Sequence, residues 1–226
     1  DMKDWYFSPQ NNFYYFPGQQ FRGQFDLLAG ADKPYEEMPV KVTGNDCFSA
    51  CPSVNDWYET VKLNYGVDYQ GCRTEYFDPI PDTWLKMKEI LLYWCAKGVD
   101  AFRCDMAEMV PAAFWAWVTS QVKSQYPDIL FIGEVYNPGL YRQYIRSGFD
   151  YLYDKVGMYD TLRSVVQGQG TAEAITYAWQ AVDDIKDHML NFMENHDEQR
   201  IASQFFADDA LKGFPAMAVT TLISSS

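Results

Sequence analysis

From residue 81 onward the chain repeats one cycle, and few folds accept it. A helical stretch is followed by a short apolar run, and the run ends in a charge. Pro81-Asp82-Thr83-Trp84 reads as a helix start, with Leu85, Ile90, Leu91 and Trp94 as its apolar stripe and Gly98 as its stop. Gly98 to Asp105 then reads as a buried strand. Residues 111–125 are the next helix, with Phe114, Trp117, Val118 and Val122 along one face, and Ile129 to Glu134 is the next strand. A short helix at 139–146, a strand at 149–153, helices at 157–167 and 171–186, a strand at 189–194 and a helix at 198–206 continue the pattern. Strands that alternate with helices pair in parallel, with their faces covered. Three runs finish in carboxylates, Asp105, Glu134 and Asp197. In a (β/α)8 TIM barrel, active sites sit at the carboxyl ends of the strands. The expected fold class is therefore α/β, with about four of the barrel's eight strands in this chain.

Residues 1–78 differ in kind. Pro9, Pro17, Pro34, Pro39 and Pro52 punctuate them, and no long apolar period runs through. They are expected to form a loop-rich protruding domain, with 79–226 as the barrel part. The chain opens on Asp1, not Met, and its apolar last segment stops at Ser224-Ser225-Ser226. Both ends read as processed or cut.

Composition narrows the partners. With 18 Lys and Arg against 31 Asp and Glu, the formal charge is −13. That disfavours nucleic acid and anionic membrane surfaces. No window reaches the ~18 apolar residues of a membrane span. Five cysteines do not close a disulfide set. Cys95 and Cys104 read as buried thiols, whereas a disulfide among Cys47, Cys51 and Cys72 stays open. Cys47-x-x-x-Cys51 could be half of a metal site, but only two histidines are available, and no metal ligand is assigned. The compartment is unassigned, with a lean to secreted or periplasmic.

The strand ends carry the chemistry. Residues two apart on a strand share a face, so Arg103 and Asp105 point the same way. Alone, such a pair is most simply a structural ion pair. It is also how a nucleophilic carboxylate is held ionised. Leu130, Ile132 and Glu134 share a face too, so Glu134 ends an apolar column, a setting that suits a general acid. The run Glu194-Asn195-His196-Asp197 is most simply a solvated turn, yet His196 beside Asp197 offers a donor and an acid to a polyhydroxylated ligand. Tyr136 is the best candidate for a sugar-stacking ring, ahead of Trp57 and Tyr58.

Taken together these segments resemble glycoside hydrolase family 13, the α-amylase family. Gly98 to Asp105 resembles its nucleophile strand, Gly133-Glu134-Val135 its acid/base strand, and Phe192 to Asp197 its third-carboxylate strand. Val61-Lys62-Leu63-Asn64 is a weaker match to the motif that closes the protruding domain. The resemblance implies a retaining, α-amylase-like hydrolase that cleaves α-glucosidic bonds of α-glucans or maltooligosaccharides through a covalent intermediate. Asp105 would be nucleophile, Glu134 acid/base and Asp197 the ring-binding carboxylate. Arg103 would hold Asp105 ionised and oriented and His196 would donate to sugar hydroxyls; with Tyr136 these are the candidate substrate-binding residues, and the barrel strands present would be four to seven. A transglycosylase of the same family, or a non-catalytic carbohydrate-binding protein on the same barrel, are the alternatives. The family's Asn-His segment is absent here, and Glu108 and Met109 replace a common Lys-His pair. No cofactor is assigned; calcium would need several oxygens. Asn45, Asp46, Asn55 and Asp56 are candidate donors, though such residues more often serve turns.

Overall fold

A computed structural model describes residues 7–25, 30, 33 and 35–223. Asp1, Pro34 and residues 224–226, which entered the reading of the loops and ends, lie outside them. The chain divides into two compact units, Asp1–Leu91 and Leu92–Ser226.

The first unit is loop-rich. Its strands are β1 (Tyr15–Phe16), β2 (Val40–Lys41), β3 (Val67–Asp68) and β4 (Thr74–Glu75), joined as two antiparallel ribbons, β1–β2 and β3–β4. Tyr14, Phe16, Val40 and Val42 form its core, with Phe48 and Tyr69 packed alongside. The Val61-Lys62-Leu63-Asn64 segment is structural here. Lys62 is buried, paired with Asp46, and its ammonium lies 4.7 Å from the centre of the Tyr69 ring. Asn64 is buried, donates to the Ser8 carbonyl at 2.8 Å and accepts from Gly66 N–H at 2.9 Å.

Helix α1 (Asp82–Cys95) begins in the first unit and ends in the second. Gly98 stops it, at φ +87°, a conformation glycine adopts without strain. The stripe Leu85, Ile90 and Trp94 is exposed; Thr83, Trp84 and Cys95 are the buried positions. An apolar period fixes that a helix has two faces but not which apolar residues lie inward.

In the second unit β5 (Ala101–Cys104), α2 (Ala112–Lys123), β6 (Leu130–Gly133), α3 (Tyr141–Arg146), β7 (Tyr151–Tyr153), α4 (Asp160–Val166), α5 (Glu173–Gln180), β8 (Met189–Leu190) and α6 (Phe214–Ile223) follow in order. The strands form one sheet, β5-β6-β7-β8, every pair parallel. Each strand hydrogen-bonds to the next in sequence with a helix between them, the topology of successive barrel units. On the helix side Phe131, Val135 and Leu152 are fully buried, with Phe114, Trp115, Val118 and Val122 of α2 also inside. Trp115 takes the place expected of Trp117, because its indole N–H donates to the Ala107 carbonyl at 3.0 Å. Gly133 has no side chain for a packing reason. A Cβ there would lie 2.8 Å from Leu152 Cδ2 and 2.9 Å from the Phe149 ring.

Three local expectations are corrected. The helix expected at 157–167 opens as a π-helical turn, Lys155–Tyr159, before α4. That expected at 171–186 is α5 followed by a 3₁₀ segment, Asp183–His188. Residues 198–206 form turns, not a helix. There the Ile201 N–H donates to Glu194 Oε1 at 2.6 Å, so a carboxylate takes the hydrogen bond a helix would use.

Candidate active site

Parallel register builds the site. Cys104 stands opposite Gly133, so the next residues, Asp105 and Glu134, leave their strands side by side. Two backbone bonds hold them so: Glu134 N–H donates to the Cys104 carbonyl at 3.0 Å, and Ala107 N–H to the Glu134 carbonyl at 2.9 Å. Met106, between them, sits at φ +42°, which turns the chain sharply after Asp105.

One guanidinium gathers the acids. Arg103 Nη1 is hydrogen-bonded to Asp105 Oδ1. Its Nη2 lies 3.0 Å from Glu134 Oε1 and 3.8 Å from Asp197 Oδ2. Burial works to lower the Arg103 pKa, but Tyr153, Asp105 and Glu134 outweigh it and raise it, so the group stays charged. The Tyr153 ring lies 5.6 Å from its central carbon.

Exposure separates the three carboxylates. Glu134 is 2% exposed, whereas Asp105 is 70% and Asp197 49% exposed. Both Glu134 oxygens already accept a bond, Oε1 from Tyr136 OH at 2.8 Å and Oε2 from Met106 N–H at 2.9 Å. A carboxylate offers about four lone-pair positions, so room for a proton remains. The Tyr136 phenol is pushed up by burial, then by its bond to Glu134 and that group's charge. It remains a neutral donor.

Asp197 and His196 sit on a turn beyond β8. The strand ends at Leu190, four residues earlier than expected, and the chain from Asn191 to Asp197 runs without ladder pairing. Asn195 Oδ1 accepts from the backbone N–H of both Asp197, at 2.9 Å, and Glu198, at 2.8 Å. His196 Nε2 is 3.1 Å from Asp197 Oδ2. All six residues singled out from the sequence thus lie in one connected group: Arg103, Asp105, Glu134, Tyr136, His196 and Asp197.

The sequence reading missed Tyr153, the Met106 amide and Asn195. Asn195 had a signal, since an Asn two residues before an Asp at a turn commonly caps the backbone. Three of the four calcium candidates are engaged by the protein itself. Asp46 is paired with Lys62, Asn45 Nδ2 donates to Asp56 Oδ1 at 3.0 Å, and Asp56 Oδ2 takes the Ser53 N–H at 2.7 Å. Among the described residues no group of three His, Cys, Asp or Glu could hold a metal. All five cysteines are free thiols, so the first third carries no disulfide. No helix among the described residues is long and apolar enough to cross a membrane.

Comparison with known proteins gives the family. Residues 81–226 match the family model described as alpha amylase, catalytic domain. The alpha-1,4-glucan:maltose-1-phosphate maltosyltransferase of Rhodospirillum rubrum is 32% identical over 117 residues, which is 50% of this chain and 16% of that protein. That of Cereibacter sphaeroides is 29% identical over 123 residues, 53% of this chain and 19% of the relative. The chain thus spans under a fifth of these relatives' length. An alpha-amylase structure from Lactobacillus plantarum aligns at TM-score 0.52 and 27% identity, over 66% of this chain and 35% of that one. The cyclic alpha-maltosyl-(1→6)-maltose hydrolase of Arthrobacter globiformis, in complex with its cyclic sugar, aligns at TM-score 0.59 over 84% of this chain and 37% of that one; at 17% identity it speaks to fold alone. The four parallel strands with their helices are part of a TIM barrel, and the chain belongs to the α-amylase family, glycoside hydrolase family 13.

Proposed function

We propose that this chain carries the catalytic centre of a retaining enzyme acting on α-glucans or maltooligosaccharides. The carrying observation is the single Arg103 guanidinium, which contacts Asp105, Glu134 and Asp197 past the ends of parallel strands. In this reading Asp105, exposed and paired with Arg103, attacks the anomeric carbon. Glu134 carries the proton for the leaving oxygen on a free lone pair, then takes one from the incoming hydroxyl. Two carboxyls that share one guanidinium favour the spacing of ~5–5.5 Å that a covalent intermediate uses, over the ~6.5–9.5 Å of inversion. Asp197 and His196 bind sugar hydroxyls of the distorted ring, and Tyr136 orients Glu134. Strands β5 to β8 correspond to barrel strands four to seven, residues 79–226 to the barrel part, and residues 1–78 to the protruding domain.

The second step has two outcomes, because water and a sugar hydroxyl attack the same intermediate. The maltosyltransferase names of the relatives favour transfer, and the amylase and hydrolase names of the structural neighbours favour hydrolysis. Product analysis with maltooligosaccharides decides. Only shorter sugars mean hydrolysis, and longer ones mean transfer. A product of inverted anomeric configuration overturns the mechanism itself.

A further inference from the structure

Strand β7 gives no carboxylate to the group around Arg103, yet its carboxyl end is densely tied. Asp154, the next residue, is 1% exposed. Its Oδ1 accepts from Gly157 N–H at 3.1 Å and from Tyr141 OH at 3.4 Å, while Oδ2 is buried without a hydrogen-bond partner. Residues Lys155–Tyr159 then wind as a π-helix, closed by Tyr159 N–H to the Asp154 carbonyl at 3.0 Å. Such turns are rare and concentrate at functional sites. A Cβ on Gly157 would meet Asp154 Oδ1 at 2.3 Å, so the turn needs glycine there.

This turn presents Lys155. Its Nζ lies 3.0 Å from Asp160 Oδ1 and 3.3 Å from Glu198 Oε1. The ammonium also stands 5.8 Å from the centre of the Tyr136 ring and 5.7 Å from that of Tyr159. Glu198, 12% exposed, follows Asp197 directly and shares its Asn195 cap. Its other cation, Arg163, is farther, at 4.0 Å. Asp197 and His196 are both open to solvent, so packing does not hold them. Their turn is fixed by the Asn195 cap at one end and by the Glu198 side chain at the other.

We propose that Lys155 is a positioning residue for glycosyl transfer, acting through Glu198 to hold the turn that carries His196 and Asp197. The role rests on the reading of Asp197 as the ring-binding carboxylate. Misplacing a substrate-binding group by a fraction of an ångström slows chemistry on every substrate that shares the ring, whatever its leaving group.

The test uses the full-length protein with a maltooligosaccharide and with α-maltosyl fluoride. Lys155→Gln and Glu198→Gln should each lower kcat/KM about tenfold on both substrates alike. Lys155→Arg, which keeps the pairing, should recover most of the rate. In an Asp197→Asn background Lys155→Gln should cost less than about twofold more, because the two act as a unit. A loss confined to the maltooligosaccharide overturns the proposal, since it would place the effect on Glu134 through Tyr136. Full multiplication of the Asp197→Asn and Lys155→Gln losses overturns it as well. If Lys155→Gln does not fold by near-ultraviolet circular dichroism, Glu198→Gln reads the same link, and wild-type rates in it overturn the role. Asp105→Asn runs in parallel. An inactive Asp105→Asn beside wild-type rates in Lys155→Gln overturns the Lys155 role alone, whereas an active Asp105→Asn overturns the functional reading and this role with it.

Discussion

Arg103 touches three acids at once, and that multiplicity sets what each substitution does. Lysine keeps the charge but loses the planar fork, so it can satisfy one carboxylate well and not three. Arg103→Lys is expected to lower kcat by at least about a hundredfold, measured by steady-state kinetics on a maltooligosaccharide. On the proposed roles, the carboxylates divide by leaving group. Asp105→Asn should cost at least about a thousandfold on every substrate, because an amide is a poor nucleophile. Glu134→Gln should cost about a hundredfold to ten-thousandfold on a maltooligosaccharide, and far less on a glycosyl fluoride, whose leaving group needs no proton. Equal rescue of both variants by the fluoride means the roles are assigned wrongly. These residues were legible from the sequence because strand alternation and parallel pairing act together: Arg103 and Asp105 share a face by parity, and register then sets Glu134 beside Asp105. Tyr153 was not legible, since a three-residue strand carries too little pattern to show which face its tyrosines take.

Turns between elements depend on particular residues as much as the strands do. Gly148, between α3 and β7, sits at φ +100°, and a Cβ there would lie 2.1 Å from Thr119 Oγ1. That hydroxyl is itself engaged, its one proton within reach of both the Trp115 carbonyl, at 2.8 Å, and the Ser147 carbonyl, at 2.9 Å. Gly148→Ala should destabilise by about 1–3 kcal/mol or more, read from the urea midpoint. Asp154 gives a pH signature. Burial raises its pKa above the unfolded value, so its contribution is fully present below the unfolded pKa, about 3.9, and is lost as pH rises through the folded value. Asp154→Asn keeps an acceptor for Gly157 but cannot ionise. Its stability relative to wild type should therefore improve between about pH 4 and pH 7, by urea unfolding at both; an unchanged difference counts against the buried-charge account. The helix misreadings have the same physical root. Leu85, Ile90 and Trp94 lie outward on α1, and Trp115 displaces Trp117 on α2, because phase is set by partners far away in sequence. The turns at 198–206 depend on Glu194 reaching seven residues ahead, which no local propensity records.

The two units differ in how they protect their thiols, which gives a probe of the whole chain. Cys51 and Cys72 are exposed in the loop-rich unit, whereas Cys95 and Cys104 are buried. Burial pushes the Cys104 thiol up to about 12, against the pull of Arg103, so at neutral pH it holds no thiolate. Brief iodoacetamide treatment of the native protein should label Cys51 and Cys72 and spare Cys95 and Cys104 until denaturant is added, by peptide mass spectrometry. Early labelling of Cys104 would show that β5 opens in the native state and that Asp105 is not rigidly held.

The one-residue step from Cys104–Gly133 pairing to the Asp105–Glu134 neighbours has a consequence for how this chain can vary in length. Deleting a single residue within 101–104 would turn Asp105 toward the helix layer and break the group around Arg103. An insertion after Ala107 and before Pro111 leaves that parity and the Ala107–Glu134 bond in place, and a longer loop there costs little. Descendants of this sequence can therefore lengthen or shorten their chains after each carboxylate and almost never before it. New specificities would accumulate in those following loops, around a centre whose spacing parity keeps constant.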